Sequence, residues 1–388
     1  MTDFNLEKLP SLNEARLQPV ALSKSLDSTP DIAKVEKCLR KDFEEFVRLR
    51  STPAPYAGRL GGNQEFVVDP SDPSAQSLLE KTPDAAPWMS LRATLSFAGF
   101  KEPTLWKAAL MEGMATMMLC YITVMLSLSP ALNVAAPLPV TGPAGVFGTA
   151  NFIGPVMGAI TNVIVLSLFI FSFGAVSGGH MNPLITIATF FCRMTTLPRM
   201  VLYVAFQIAG ATLAGLLVRG SVNNIHWKAG GCFVDPNLVN TRQMFTLEFA
   251  SCLTMLFLAF GVGLDPRQAS TFGPALAPIL VGFVLGVTCL ATAFAVPGFG
   301  GAGMNPGRCF AVWIGSGKSL GVTGANAELG YAGPNGGRLW IYWVAAIAAG
   351  MCHAAFYQLV PPWSTGGQGK LEVNQPKPQK DAIGQPKV

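Results

Sequence analysis

Charge is scarce in this chain: only 13% of its 388 residues are Asp, Glu, Lys or Arg, where a soluble domain carries about a quarter. The shortage is local. Residues 1–102 hold 13 basic and 15 acidic residues and 361–388 hold four and two, so 103–360 keep only ten basic and five acidic. Histidine is scarcer still. Positions 180, 226 and 353 fall in separate segments without metal-ligand spacing, and no nucleophile–base motif accompanies them. Together these speak against an enzyme, a metal site or a cofactor. Eight cysteines (38, 120, 192, 232, 252, 289, 309 and 352) include no C-x-x-C pair, which argues against a zinc or thioredoxin-like site; most read as small, inert apolar residues. The net charge of +5 includes no long basic cluster, so nucleic acid is not an expected partner. The first thirty residues lack the apolar run of a signal peptide.

What the chain has is apolar length. From Trp106 onward six hydrophobic stretches, near 106–128, 155–176, 198–219, 243–264, 274–295 and 338–360, each approach the ~20 residues that cross a bilayer. An even number places both tails on one side. A charged N-terminal tail without a signal peptide is expected in the cytoplasm, giving a multi-pass protein with both termini cytoplasmic, assigned to the plasma membrane. The Lys/Arg distribution does not decide orientation, because Lys101, Lys107, Arg193, Arg199 and Arg267 fall inside while Arg219, Lys228, Arg242, Lys318 and Arg338 fall outside. Residues 1–102, rich in Pro, Ser, Asp and Gly, read as a largely disordered tail with one charged helix over Asp31–Arg50. Residues 103–360 read as the membrane domain and 361–388 as a second disordered tail.

Two connections are themselves apolar and carry matched motifs. SGGHMNPLITIATFFCRM follows the second span and PGFGGAGMNPGRCFAVWIG the fifth, with Met181-Asn182-Pro183 repeated as Met304-Asn305-Pro306 after 123 residues. Glu112 and Glu248 also correspond, one in the first span of each half. Three spans per half give an inverted repeat, with the functional path at its interface. Proline suits the first helical turn and asparagine the N-cap before it, so each Asn-Pro starts a short half-helix. Non-helical backbone ahead of it is tolerated in a membrane only where protein buries it or water lines it. Two such helices meeting N-terminus to N-terminus focus positive dipole ends on one point. Asparagines whose oxygens are held by their own helices would leave amide N–H groups free for neutral solutes, while cations and hopping protons meet a barrier. Glu112 and Glu248 are read as acceptors bracing the irregular loops; proton relays in a coupled carrier are the alternative. Arg308 is a fixed donor fork at the outer constriction, or else an interfacial arginine.

These paired motifs, Arg308, the two glutamates and WIYWVAAIAAG in the last span closely resemble the aquaporin (major intrinsic protein) family over about 103–360. The resemblance implies an all-α membrane protein of six transmembrane helices plus two half-helices, assembled as a homotetramer. It further implies a passive channel for water or small neutral solutes. Gly154/Gly158 and Gly282/Gly286 would let helices cross closely. The motifs depart from the usual Asn-Pro-Ala: they read Asn182-Pro183-Leu184 and Asn305-Pro306-Gly307. With Cys309 after Arg308, and with Gly230-Gly231-Cys232 in the third connection, the chain looks like the X intrinsic proteins; the long tail is compatible with a fungal member. By spacing, the selectivity filter comprises Asn162, Ala293, Ala302 and Arg308. Two alanines there suggest an opening wide enough for glycerol, urea, hydrogen peroxide or boric acid, although Tyr342-Trp343 resembles water channels. His180, Gly178, Gly179 and Gly303 are expected to line the pore, with a buried-core histidine as the alternative for His180. Cys232 and Cys309, both on the expected extracellular side, are either bridged or two free thiols.

Overall fold

The computed structural model describes residues 73, 76–81, 83–86, 89–130, 150–223, 227–265, 269–293, 296–316 and 337–359. The expected helix over 31–50, the C-terminal tail from 361, Cys38 and His226 lie outside them. Among the described residues six helices are long and apolar enough to cross a membrane: α1 (Pro103–Leu126), α2 (Ala150–Ser177), α4 (Leu197–Val222), α5 (Thr241–Ala259), α6 (Ala269–Ala293) and α8 (Leu339–Leu359). Between them stand two short helices, α3 (Pro183–Phe191) and α7 (Pro306–Ser316). Local chemistry sets several boundaries. Pro103 and Pro183 occupy first turns, where a missing N–H leaves nothing unpaired. Asn240 and Gln243 form a reciprocal capping box at the start of α5. Asn223, at φ 50°, ends α4 in the left-handed conformation that asparagine tolerates. Helix α5 runs on through a π turn, Phe260–Leu264.

Packing repeats across the two halves. Helix α1 packs on α4 in the first half as α5 packs on α8 in the second, and α2 meets its counterpart α6. The half-helices are exchanged: α7 of the second half packs on α4 of the first, and α3 of the first on α8 of the second. Close approach depends on glycine. A Cβ on Gly282 would stand 2.6 Å from the Val163 carbonyl oxygen, and one on Gly286 2.9 Å from that of Ala159, so α6 rides directly on α2. Gly158, by contrast, has nothing within 4 Å of an added Cβ and is not a crossing residue. The tightest crossing was not read from the sequence: a Cβ on Gly210 would stand 2.0 Å from the Gly113 carbonyl oxygen, where α4 meets α1. Two strands, β1 (Leu128–Pro130) and β2 (Trp227–Ala229), pair antiparallel at one end of the bundle, adding a small ribbon to the all-α fold.

The ordered structure begins earlier than residue 103. Asp84 is buried against Arg199 at the start of α4, their side chains 4% and 6% exposed, and Met89 N–H donates to the Arg193 carbonyl. The segment around 83–102, expected as part of a disordered tail, therefore belongs to the folded body. The reason is that α4 begins with a buried cation, and Asp84 ahead of α1 supplies it with a carboxylate.

Candidate functional site

The two loops ahead of α3 and α7 share their left-handed turns at two matching positions. Gly178 and Gly301 have φ 99° and 97°, and Met181 and Met304 have φ 48° and 49°. A methionine in the left-handed region costs roughly 1–2 kcal/mol, so both loops need support, and a glutamate supplies it in each. Glu112 accepts from the backbone N–H groups of His180 (3.0 Å) and Met181 (2.6 Å), and Glu248 from those of Gly303 (2.8 Å) and Met304 (3.3 Å). Glu112 also accepts from Ser177 Oγ at 2.6 Å and Gln207 Nε2 at 2.9 Å. Gln207 and Thr186, which the sequence reading did not single out, continue this buried network to His180 Nδ1, 3.2 Å from Thr186 Oγ1.

At the loop tips the two asparagines cap their own helices. Asn182 Oδ1 accepts from Leu184 N–H at 2.9 Å, and Asn305 Oδ1 from Arg308 N–H at 3.1 Å. Their amides also interlock across the repeat, Asn182 Nδ2 donating to the Met304 carbonyl (2.9 Å) and Asn305 Nδ2 to that of Met181 (3.1 Å). This modifies the expectation of wholly free amides: each asparagine amide donates across the repeat and ties the half-loops together. Pro183 and Leu184 are buried off the path. So is Gly307, where an alanine Cβ would sit 3.2 Å from Asn305 Oδ1 and 3.3 Å from Pro183 Cδ. An alanine there would need these neighbours to give by a few tenths of an ångström.

One cavity of about 490 Å³ joins these elements. Asn182, Asn305, His180 and Gly303 line it, as do Asn162, Ala293, Ala302 and Arg308. Gly178 and Gly179 do not; they are buried behind it, Gly179 against α2, where an added Cβ would lie 3.3 Å from Gly174 Cα. Cys120 and Cys289 also contribute to the wall, so these two apolar-run cysteines are not simply core. Asn162 turns its amide to the Gly158 carbonyl (2.8 Å). Arg308 donates to Thr123 Oγ1 (3.2 Å), the Thr123 carbonyl (3.3 Å), Ser127 Oγ (2.7 Å) and Cys232 Sγ (3.2 Å). Cys232 and Cys309 are disulfide-bonded, with Cα atoms 5.0 Å apart, within the span that a bridge requires. Among the described residues that line it there is no carboxylate.

Six spans in an inverted repeat, with two half-helices meeting at a cavity through their capped N-termini, define a membrane channel. The chain belongs to the major intrinsic protein family, whose model matches residues 99–357. Probable aquaporin TIP4-2 of Oryza sativa subsp. japonica is 33% identical over 189 residues, 48% of this chain and 62% of that relative. Two further rice proteins align over more of their length at 26% identity: Aquaporin PIP2-4 (70% of this chain, 87% of that one) and Aquaporin PIP 1-3 (78% and 93%). The aquaglyceroporin of Plasmodium falciparum gives a TM-score of 0.44 at 16% identity, covering 66% of this chain and 98% of that chain. Family membership points to a channel rather than an enzyme.

Proposed function

We propose that this channel passes water together with glycerol-sized neutral solutes (glycerol, urea, hydrogen peroxide and boric acid) down their gradients, and excludes ions and protons. The carrying observation is the composition of the cavity lining, which includes the small Ala293 and Ala302 together with the polar Asn162 and Arg308. Small side chains leave volume; the two polar groups offer a solute both an acceptor and donors. Exclusion of cations rests on an arginine that has no carboxylate partner among the described residues and on two helix N-termini aimed at the cavity. Glu112 and Glu248 are engaged by backbone N–H groups, which supports bracing over a proton relay. We further propose a homotetramer in the plasma membrane, with both termini cytoplasmic and the bonded Cys232–Cys309 pair extracellular, a pairing that fits the X intrinsic protein pattern.

Stopped-flow swelling of reconstituted vesicles tests this reading. Water, glycerol and urea fluxes should rise linearly with gradient, and an ionic osmolyte should not enter. Saturating flux, or a requirement for a proton gradient, would replace the channel by a carrier.

A further inference from the structure

We infer that Thr123 and Ser127 of α1 determine the solute range of the pore by holding the Arg308 side chain back against the wall. The inference rests on the solute reading above and concerns residues that no motif marks.

Thr123 and Ser127 stand four positions apart, so they share one face of α1, one above the other. Both line the cavity. Thr123 Oγ1 donates to the Leu119 carbonyl at 2.7 Å and Ser127 Oγ to the Thr123 carbonyl at 2.8 Å. A guanidinium has donors and no acceptor, so neither hydroxyl can turn its hydrogen towards Arg308. The lone pairs therefore face Arg308: Nε meets Thr123 Oγ1 at 3.2 Å and Nη2 meets Ser127 Oγ at 2.7 Å. The Thr123 carbonyl adds a third acceptor at 3.3 Å, and Cys232 Sγ takes Nη1 at 3.2 Å. The planar fork is thus held along one edge by a neutral, hydroxyl-bearing helix face.

Two consequences follow from the cradle being neutral and lateral. The charge of Arg308 is not cancelled, so the barrier to cations persists. The side chain is also held at the α1 wall, although a competing acceptor belongs to the same lining: Asn162 commits its amide to the Gly158 carbonyl, so its Oδ1 is the group it has to offer. Released from α1, the arginine would reach for that oxygen and narrow the opening to water. Solute width is then set by two hydroxyls as much as by the two alanines.

The test is a cycle of variants in reconstituted vesicles, read as the ratio of glycerol to water permeability. Thr123→Val with Ser127→Ala should lower that ratio about fivefold, the size of effect that a net hydrogen bond confers, while Thr123→Ser should leave it at the wild-type value. In an Arg308→Ala background the same pair of changes should leave the ratio unaltered, since the arginine they act through is gone. An unchanged ratio in the first case, or an equal fall in both backgrounds, overturns the inference. If the double variant conducts nothing, Ser127→Ala alone is read by the same two criteria. If the wild-type chain passes water but no glycerol, it is the solute reading that fails. The cycle is then scored on water flux, where dependence on Arg308 supports the cradle and additivity overturns it.

Discussion

At the scale of single residues, the site is governed by which hydrogen-bonding groups are already engaged. Asn182 and Asn305 each commit the oxygen to a helix cap and one amide hydrogen to the opposite loop, so neither side chain is free to rotate. Ala293 and Ala302 act by what they omit. Replacing Ala302 by Phe, or Ala293 by His, should depress glycerol flux more than water flux, because added volume excludes the wider solute first. Equal loss of both in well-inserted protein would place the constriction elsewhere. The Cys232–Cys309 bridge sits beside Arg308 and can be checked directly. Alkylation without reduction should label neither cysteine, and mass spectrometry should find a linked peptide pair that disappears on reduction; recovery of both thiols labelled would count against the bond.

At the scale of helices, backbone proximity decides packing, and individual glycines carry it. Gly210→Ala places a methyl group onto the Gly113 carbonyl, and overpacking of this kind costs about 1–3 kcal/mol. The detergent-solubilised variant should therefore melt well below wild type. Gly158→Ala is the matched control. Its Cβ meets nothing within 4 Å, and alanine is favoured over glycine inside a helix by about 1 kcal/mol, so its melting temperature should be unchanged or raised. If both variants melt alike, the α1–α4 crossing is looser than described.

For the molecule as a whole, the repeat places like elements opposite one another, and the segment ahead of α1 packs against the start of α4. Asp84 and Arg199 are paired out of water. Removing one partner of such a pair typically costs about 3–5 kcal/mol, whereas replacing both with apolar residues can be nearly neutral. Asp84→Ala should accordingly lower thermal stability strongly, and Asp84→Leu with Arg199→Met should recover most of it. A double variant as unstable as the single one would show that the segment is held by something other than this pair.

The six spans, the inverted repeat and the two half-helices were legible in the sequence because each has a local cause: apolar length, a doubled Asn-Pro and a glutamate at matching places. Asn182, Asn305 and Arg308, which the motifs mark, are among the residues lining the cavity, whereas Gly178 and Gly179 beside the first motif are not. Tertiary structure alone decided the rest. Thr123 and Ser127 read as ordinary polar residues of a span, and only the rotation of α1 turns them to Arg308, 185 and 181 positions away. Gly113 and Gly210 share no local pattern and gain meaning where two backbones cross. Asp84 looked like part of a polar tail because the cation that buries it lies 115 residues further on. Local periodicity and capping are written in neighbouring residues, whereas a partner's identity depends on where distant helices come to lie.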